Sequence, residues 1–190
     1  MRYCKLQTTN YLLMNKQLNF QEIRENSAER IANIKHNRAP IALLCDRMTD
    51  FRNIGSMFRI ADAARLEKIY FYQSDINFKH KKIGKVARST NQYVDFEIIN
   101  DIQLIAKLKE EYQIIALDKT SKSMDYIDFK PPINQKILLL IGAEKFGVSE
   151  ELLALVTTAI HLPMLGVNTS MNVGVATGIA VFDLLKKVPL

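Results

Sequence analysis

The sequence predicts an α/β fold in which a parallel sheet is covered by helices on both faces. Three observations predict it. Short apolar runs, IALLC at 41–45, QIIAL at 113–117 and ILLLIG at 137–142, alternate with longer stretches of helical periodicity. ILLLIG contains no polar side chain, so both faces of that strand must be buried. The chain has 190 residues, 48% of them hydrophobic, which suits one core that needs neither disulfides nor metals.

The elements follow in order. Residues 18–37 read as a helix, with Ile23, Ala28, Ile31 and Ile34 at roughly helical spacing, and Pro40 ends it. Strands are expected at 41–45, 68–72, 94–99, 113–117, 137–142 and 159–163. Helices are expected at 54–66, 101–112 and 149–157, with a closing helix at 170–187. The division is therefore a short N-terminal helical extension, 1–39, and one α/β domain, 40–190. In such folds ligands sit beyond the carboxyl ends of the strands. The loops after 41–45, 113–117, 137–142 and 159–163 are the places to look for chemistry.

Composition narrows the class. The two cysteines, Cys4 and Cys45, make no disulfide framework and read as reduced thiols. The N-terminus carries charges and amides where a signal peptide needs an apolar run, and no apolar run reaches the ~18–20 residues of a membrane helix. A soluble cytoplasmic protein is expected. The net charge of +6 decides little, but its clustering is informative. The segment KHKKIGKVAR at 79–88 holds Lys79, Lys81, Lys82, Lys85 and Arg88 with no acid. It reads either as a phosphate-contacting loop or as a solvated segment. A second basic set, Arg24, Arg30, Lys35 and Arg38, is mixed with Glu22, Glu25 and Glu29 and reads as a solvated helix face.

Three loops hold unusual residues. In CDRMTDFRNIGSMFRIADAARL, Asn53, Gly55 and Arg59 follow a polar loop. Asn53 would cap the helix and leave Arg59 on the surface. Alternatively, Arg59 would add a planar cation to the amide groups of a helix start and bind a phosphate or carboxylate. In IGAEKFGVSEELL, Gly142 follows the buried strand, Gly147 closes the turn and Ser149 is a good N-cap. Glu144 is an acid in a tight loop, placed to fix that loop or to meet Arg59. In HLPMLGVNTSMNVGVATGIAVFDLL, Pro163 and Gly166 shape a turn. Ser170 would cap the last helix and Asn172 would point near the strand ends. Gly174 and Gly178 cost helix stability, about 1 kcal/mol each against alanine, which implies close packing against something.

Several chemistries are excluded by counting. There is no G-x-G-x-x-G and no P-loop. His36, His80 and His161 lack metal-ligand spacing, so no metal is expected, and His161 would face a polar edge of its strand. Ser170 has no histidine and acid partners for a hydrolase triad.

Taken together and in this order, the three loops resemble the SpoU (TrmH) family of SPOUT methyltransferases, over roughly residues 41–185. The family's first motif is matched by Asn53, Gly55 and Arg59, its second by Gly142, Glu144 and Gly147. The third is matched by Pro163, Met164, Gly166, Ser170, Met171 and Asn172. Met171 replaces the usual leucine, and Gly174 stands where many members have serine.

The resemblance implies a parallel-sheet α/β knot, with a deep C-terminal trefoil, in a homodimer packed through the knot region. It implies S-adenosylmethionine as cofactor, with Leu117, Gly142, Gly147, Leu162, Met164 and Met171 lining its pocket. It implies methyl transfer to a ribose 2′-hydroxyl of structured RNA, either tRNA or rRNA. Arg59, Asn53, Glu144, Ser170 and Asn172 would be the catalytic set. The family's arginine is proposed as the base. A guanidinium keeps its charge in proteins, so Arg59 would equally orient a phosphate and stabilise the developing alkoxide. RNA would meet Lys79, Lys81, Lys82, Lys85 and Arg88, and the residues before the first strand are too few for the separate RNA-binding domain that many relatives carry. The alternative is a non-catalytic RNA-binding or ribosome-assembly protein that keeps the fold. Its mark would be erosion of the motif side chains, which the sequence does not show.

Overall fold

The computed structural model describes residues 37–74, 90, 93–143 and 146–189. The chain divides into two compact units, Met1–His36 and Asn37–Leu190. The expected helix at 18–37 falls almost wholly outside the described residues, as does the basic segment 79–88.

The second unit is built on a seven-stranded sheet. The strands are β1 (Ile41–Asp46), β2 (Ile69–Tyr72), β3 (Phe96–Ile99), β4 (Tyr112–Leu117), β5 (Met124–Asp125), β6 (Lys136–Ile141) and β7 (Thr158–His161). Their order across the sheet is β3-β2-β1-β6-β4-β7-β5, and every pairing is parallel. Among the described residues the helices are α1 (Phe51–Ala63), α2 (Ile102–Lys107), α3 (Glu150–Leu153) and α4 (Val173–Leu185).

Pleating sends alternate residues to opposite faces. Ile41, Leu43 and Cys45 of β1 enter one cluster with Leu139 of β6, Ile54 and Phe58 of α1 and Val181 and Leu184 of α4. Ala42 and Leu44 enter the other with Leu138 and Leu140 of β6, Ile105 of α2 and Leu152 of α3. β1 and β6 lie side by side at the centre, and all but the first residue of β6 are buried. This is why Ile41–Cys45 and Ile137–Ile141 are apolar throughout. Cys45 is fully buried.

Of the element boundaries that differ from expectation, among them α3, which is shorter than the expected 149–157, three differ for local reasons. α1 begins three residues early because the Asp50 side chain accepts the Arg52 amide at 2.7 Å and caps it. The expected helix 101–112 is α2 followed by a short 3-10 turn, Leu108–Glu110. α4 begins at Val173 because Asn172, not Ser170, is its cap.

Candidate active site

Three loops meet beyond the carboxyl ends of β4, β6 and β7 around a pocket of about 330 Å³. Leu117 ends β4, Gly142 follows β6, and Leu162 and Met164 follow β7. With Gly147 and Met171 they line this one pocket, as do Ser170 and Asn172. Asp118, Lys119, Ala143, His161, Thr169, Val173 and Ala176 complete the wall, and sequence reasoning did not name them for this site. The available signal was position, since most directly neighbour a residue that was named.

The loop after β6 is held unusually close. A Cβ on Gly142 would lie 2.2 Å from the Gly147 carbonyl carbon and 2.4 Å from the Val148 nitrogen. No side chain fits there. Gly147 has φ +64, a conformation in which a Cβ is strained. Ala143 and Gly147 exchange two backbone hydrogen bonds, at 3.0 and 2.9 Å. Two carboxylates then clamp the loop. Asp118 Oδ2 accepts the Val148 amide at 3.2 Å and Asp46 Oδ2 accepts the Ser149 amide at 2.7 Å. Asp46 is fully buried and also receives Arg47 Nε at 3.1 Å. Both acids escaped sequence reading, although each directly follows or ends an apolar strand, where a carboxylate is out of place. Ser149 occupies the N-cap position of α3, but its hydroxyl makes no capping bond.

The first and third motifs meet where α1 packs on α4. Asn53 is buried inside α1 rather than capping it, because Asp50 takes the cap. Its Oδ1 accepts Asn172 Nδ2 at 3.0 Å. Asn172 Oδ1 accepts the amides of Gly174 and Val175 at 2.9 and 3.2 Å. One asparagine thus caps α4 and ties it to α1, while Ser170 lies exposed two residues upstream. Arg59 is exposed in the third turn of α1, away from the helix start where sequence reading placed it. Among the described residues no hydrogen bond or ion pair engages it, and it does not line the pocket. Glu144 lies outside the described residues, as do Lys79, Lys81, Lys82, Lys85 and Arg88.

Electrostatics set the surroundings. Lys119 Nζ lies 2.9 Å from His161 Nε2, both on the pocket wall. With lysine donating, Nε2 accepts. His161 therefore turns toward a cation of the pocket. The Arg52 guanidinium holds the Asp50 carboxyl down at about 2. At the end of β2, burial first and then the neighbouring Glu151 carboxylate push the Tyr72 hydroxyl up to about 12. Tyr72 donates to Glu151 Oε1 at 2.9 Å. Among the described residues no group of three or more His, Cys, Asp or Glu is placed to hold a metal ion. No described helix is long and apolar enough to cross a membrane.

The fold and pocket define a parallel α/β domain with a pocket among the loops at the carboxyl ends of its strands, where ligands sit in folds of this kind. The chain belongs to the SpoU rRNA Methylase family, whose pattern it matches over residues 40–182. It is 28% identical over 178 residues to the tRNA (guanosine(18)-2'-O)-methyltransferase of Aquifex aeolicus, covering 91% of this chain and 77% of that one. It is 29% identical over 153 residues to a 23S rRNA (guanosine-2'-O-)-methyltransferase of Blochmanniella floridana, covering 80% of this chain. It spans only 60% of that relative's length. The fold is shared with the A. aeolicus TrmH/SpoU tRNA modifying enzyme, at TM-score 0.73 and 22% identity over 84% of this chain and 83% of that one. It is shared also with AviRb of Streptomyces viridochromogenes, solved in complex with AdoMet, at TM-score 0.71 and 22% identity over 83% and 63% of the two chains.

Proposed function

We propose that this chain is an S-adenosylmethionine-dependent methyltransferase acting on a ribose 2′-hydroxyl of tRNA or rRNA. The observation that carries the reading is the joining of all three motif loops at one place. The pocket beyond β4, β6 and β7 is coupled through Asn172 and Asn53 to the helix that presents Arg59.

The residues present fit the cofactor. Leu117, Ala143, Leu162, Met164, Val173 and Ala176 offer an apolar wall for an adenosine, and the loop backbones after β6 and β7 offer polar partners. Lys119 adds a cation suited to a carboxylate. Gly142, Gly147 and Met171 would complete the wall. When bound, the cofactor supplies a methyl group activated by its sulfonium.

The rest of the reaction falls to the chain. In-line displacement requires the ribose hydroxyl to be held against the methyl carbon, so positioning is a large part of the rate. The hydroxyl must also lose its proton. Arg59 is exposed and unengaged among the described residues, as a group awaiting a phosphate would be. Its charge would orient the substrate and stabilise the developing alkoxide. Asn53 and Asn172 fix the start of α4 against α1. Glu144 and Ser170 belong to the same constellation in this reading, and RNA phosphates would meet Lys79, Lys81, Lys82, Lys85 and Arg88.

The active form is a homodimer. α4 is apolar nearly all round. Thr177, Ala180, Val181 and Leu184 are buried, while Val175, Ile179 and Phe182 remain 55%, 39% and 49% exposed. A helix of this kind is normally covered on every side. Leu165 and Val167, in the loop before it, are almost wholly exposed, and a second copy covering both would bury this set. The C-terminal segment is knotted. Supporting this, β7 hydrogen-bonds between β4 and β5, and the chain then returns to pack α4 on α1.

Arg59→Ala tests the catalytic reading. Methyl transfer should fall by about 100-fold or more, the scale of a lost charge-stabilising group, while calorimetry still shows cofactor binding. Near wild-type turnover in that variant would remove Arg59 from the mechanism.

A further inference from the structure

Lys119 and His161 reach the pocket from neighbouring strand ends, those of β4 and β7. Lys119 Nζ lies 2.9 Å from His161 Nε2, which accepts. A ring nitrogen that accepts carries no proton, so the imidazole is neutral and its proton sits on Nδ1. That Nδ1 is buried and has no hydrogen-bond partner among the described residues. A buried polar atom left unpaired is uncommon and calls for a reason. The pairing of Lys119 supplies one. Lys68 meets the carboxylate of Glu97, Lys136 those of Glu67 and Glu111, and Lys187 that of Asp183. Those partners offset the ammonium charge. His161 orients the Lys119 ammonium and leaves its charge whole. The neighbouring acid, Asp118, is engaged elsewhere: its Oδ1 accepts the Lys119 amide at 2.7 Å and its Oδ2 the Val148 amide at 3.2 Å.

We propose that Lys119 binds the α-carboxylate of the cofactor's amino acid tail, and that His161 is the residue that positions it. S-adenosylmethionine carries one anionic group, that carboxylate. Among the described residues Lys119 is the one lysine or arginine on the pocket wall. The apolar side chains of the wall suit an adenosine, but a carboxylate taken from water needs a charged or hydrogen-bonding partner. An ammonium held by a neutral acceptor before the ligand arrives has less freedom to lose on binding, so more of the attraction remains as affinity. Of its three N–H groups one serves His161, which leaves others for the ligand. Lys119 is exposed, so salt and water screen the contact in part. An RNA phosphate offers the same cation a similar anion, and the test separates the two.

The inference rests on the methyltransferase reading, and its test keeps the two failures apart. Calorimetry compares S-adenosylmethionine with its decarboxylated form, which keeps the sulfonium and the amine and lacks only the carboxylate. The full chain is used as wild type, Lys119→Met, His161→Leu and His161→Gln, and KM for total RNA is measured alongside. Wild type should prefer the carboxylated ligand by about tenfold, the scale of one hydrogen bond between charged groups. Lys119→Met should bind S-adenosylmethionine about tenfold more weakly and the decarboxylated form within about twofold of wild type. It should melt within about 2 °C of wild type, because Lys119 is exposed. His161→Leu removes the acceptor and should reduce the preference about threefold. His161→Gln, whose amide oxygen accepts, should retain it. An unchanged preference in Lys119→Met, or equal losses for both ligands, overturns the inference. Unchanged cofactor binding with a raised KM for RNA overturns it too, and gives the cation to a phosphate. A His161→Gln protein as indifferent to the carboxylate as His161→Leu removes the positioning role. If His161→Leu does not fold, Lys119→Met decides. A wild type that transfers methyl groups but binds both ligands alike defeats this inference alone. A wild type that binds neither ligand refutes the functional reading itself.

Discussion

Gly142→Ala is the substitution whose cost the structure fixes most tightly. The added Cβ would lie 2.2 Å from the Gly147 carbonyl carbon, where ordinary contact begins at 3.4 Å. The 147–148 peptide would therefore have to retreat by about 1.2 Å, the difference between those distances. That peptide and the Gly147 amide before it are pinned by two bonds with Ala143 and by the Val148 amide on Asp118, at 2.9–3.2 Å. A shift of this size breaks them. Three hydrogen bonds at about 1 kcal/mol each, with about 1 kcal/mol of overpacking strain, give a loss of about 4 kcal/mol. For a domain of this size the melting temperature should fall on the order of 10 °C. The displaced loop is a pocket wall, so cofactor affinity should fall with it. Calorimetric melting and S-adenosylmethionine titration read both effects. Gly166→Ala is the control, because among the described residues no atom lies within 4 Å of a Cβ there. A Gly142→Ala protein that melted and bound like wild type would refute the packing argument for this loop.

Three further outcomes are expected. Asn172→Ala removes the α4 cap and the tie to Asn53, and should cost about 2 kcal/mol; a urea midpoint equal to wild type would contradict the shared role of this side chain. The Tyr72 hydroxyl ionises at higher pH in the folded chain, about 12, than its ordinary 10. Its contribution is therefore complete below pH 10 and lost as pH rises to 12, so the stability gap between wild type and Tyr72→Phe should close over that window and stay constant between pH 7 and 9. RNA affinity should weaken linearly in log salt. Replacing Lys81 and Lys82 together should reduce the slope by about 1.4–1.8 if both neutralise phosphates, and an unchanged slope would remove the basic segment from the interface.

How much of this was legible in the sequence depended on what fixes each feature. β6 was readable because a central parallel strand excludes polar side chains from both faces, and ILLLI satisfies that. The division of labour at β3 was not. Phe96, Glu97 and Ile98 are exposed on an edge strand, and a period-two pattern does not say where in the sheet a strand lies. β5, two residues long, carries no periodicity at all. Caps were ambiguous for a different reason. Ser170 and Asn172 are both good caps, as are Asp50 and Asn53. The choice is made in space: Asn53 Oδ1 accepts Asn172 Nδ2, which leaves Asn172 Oδ1 to cap α4. The loops around the pocket were visible because glycines and polar residues interrupt apolar strands at their carboxyl ends. Asp46 and Asp118, which clamp the loop after β6, depend on long-range contacts that no spacing encodes. The close approach of α4 to α1, where a Cβ on Gly174 would lie 2.9 Å from Ser56 Cβ, is of the same kind, because it exists only once the two helices are packed.

The most direct test of the central claim is to incubate the protein with methyl-labelled S-adenosylmethionine and total RNA, then map the label by nuclease and alkaline digestion. Label is expected in alkali-resistant dinucleotides, the signature of a methylated ribose 2′-oxygen. Label on a base, or none despite cofactor binding, would contradict it.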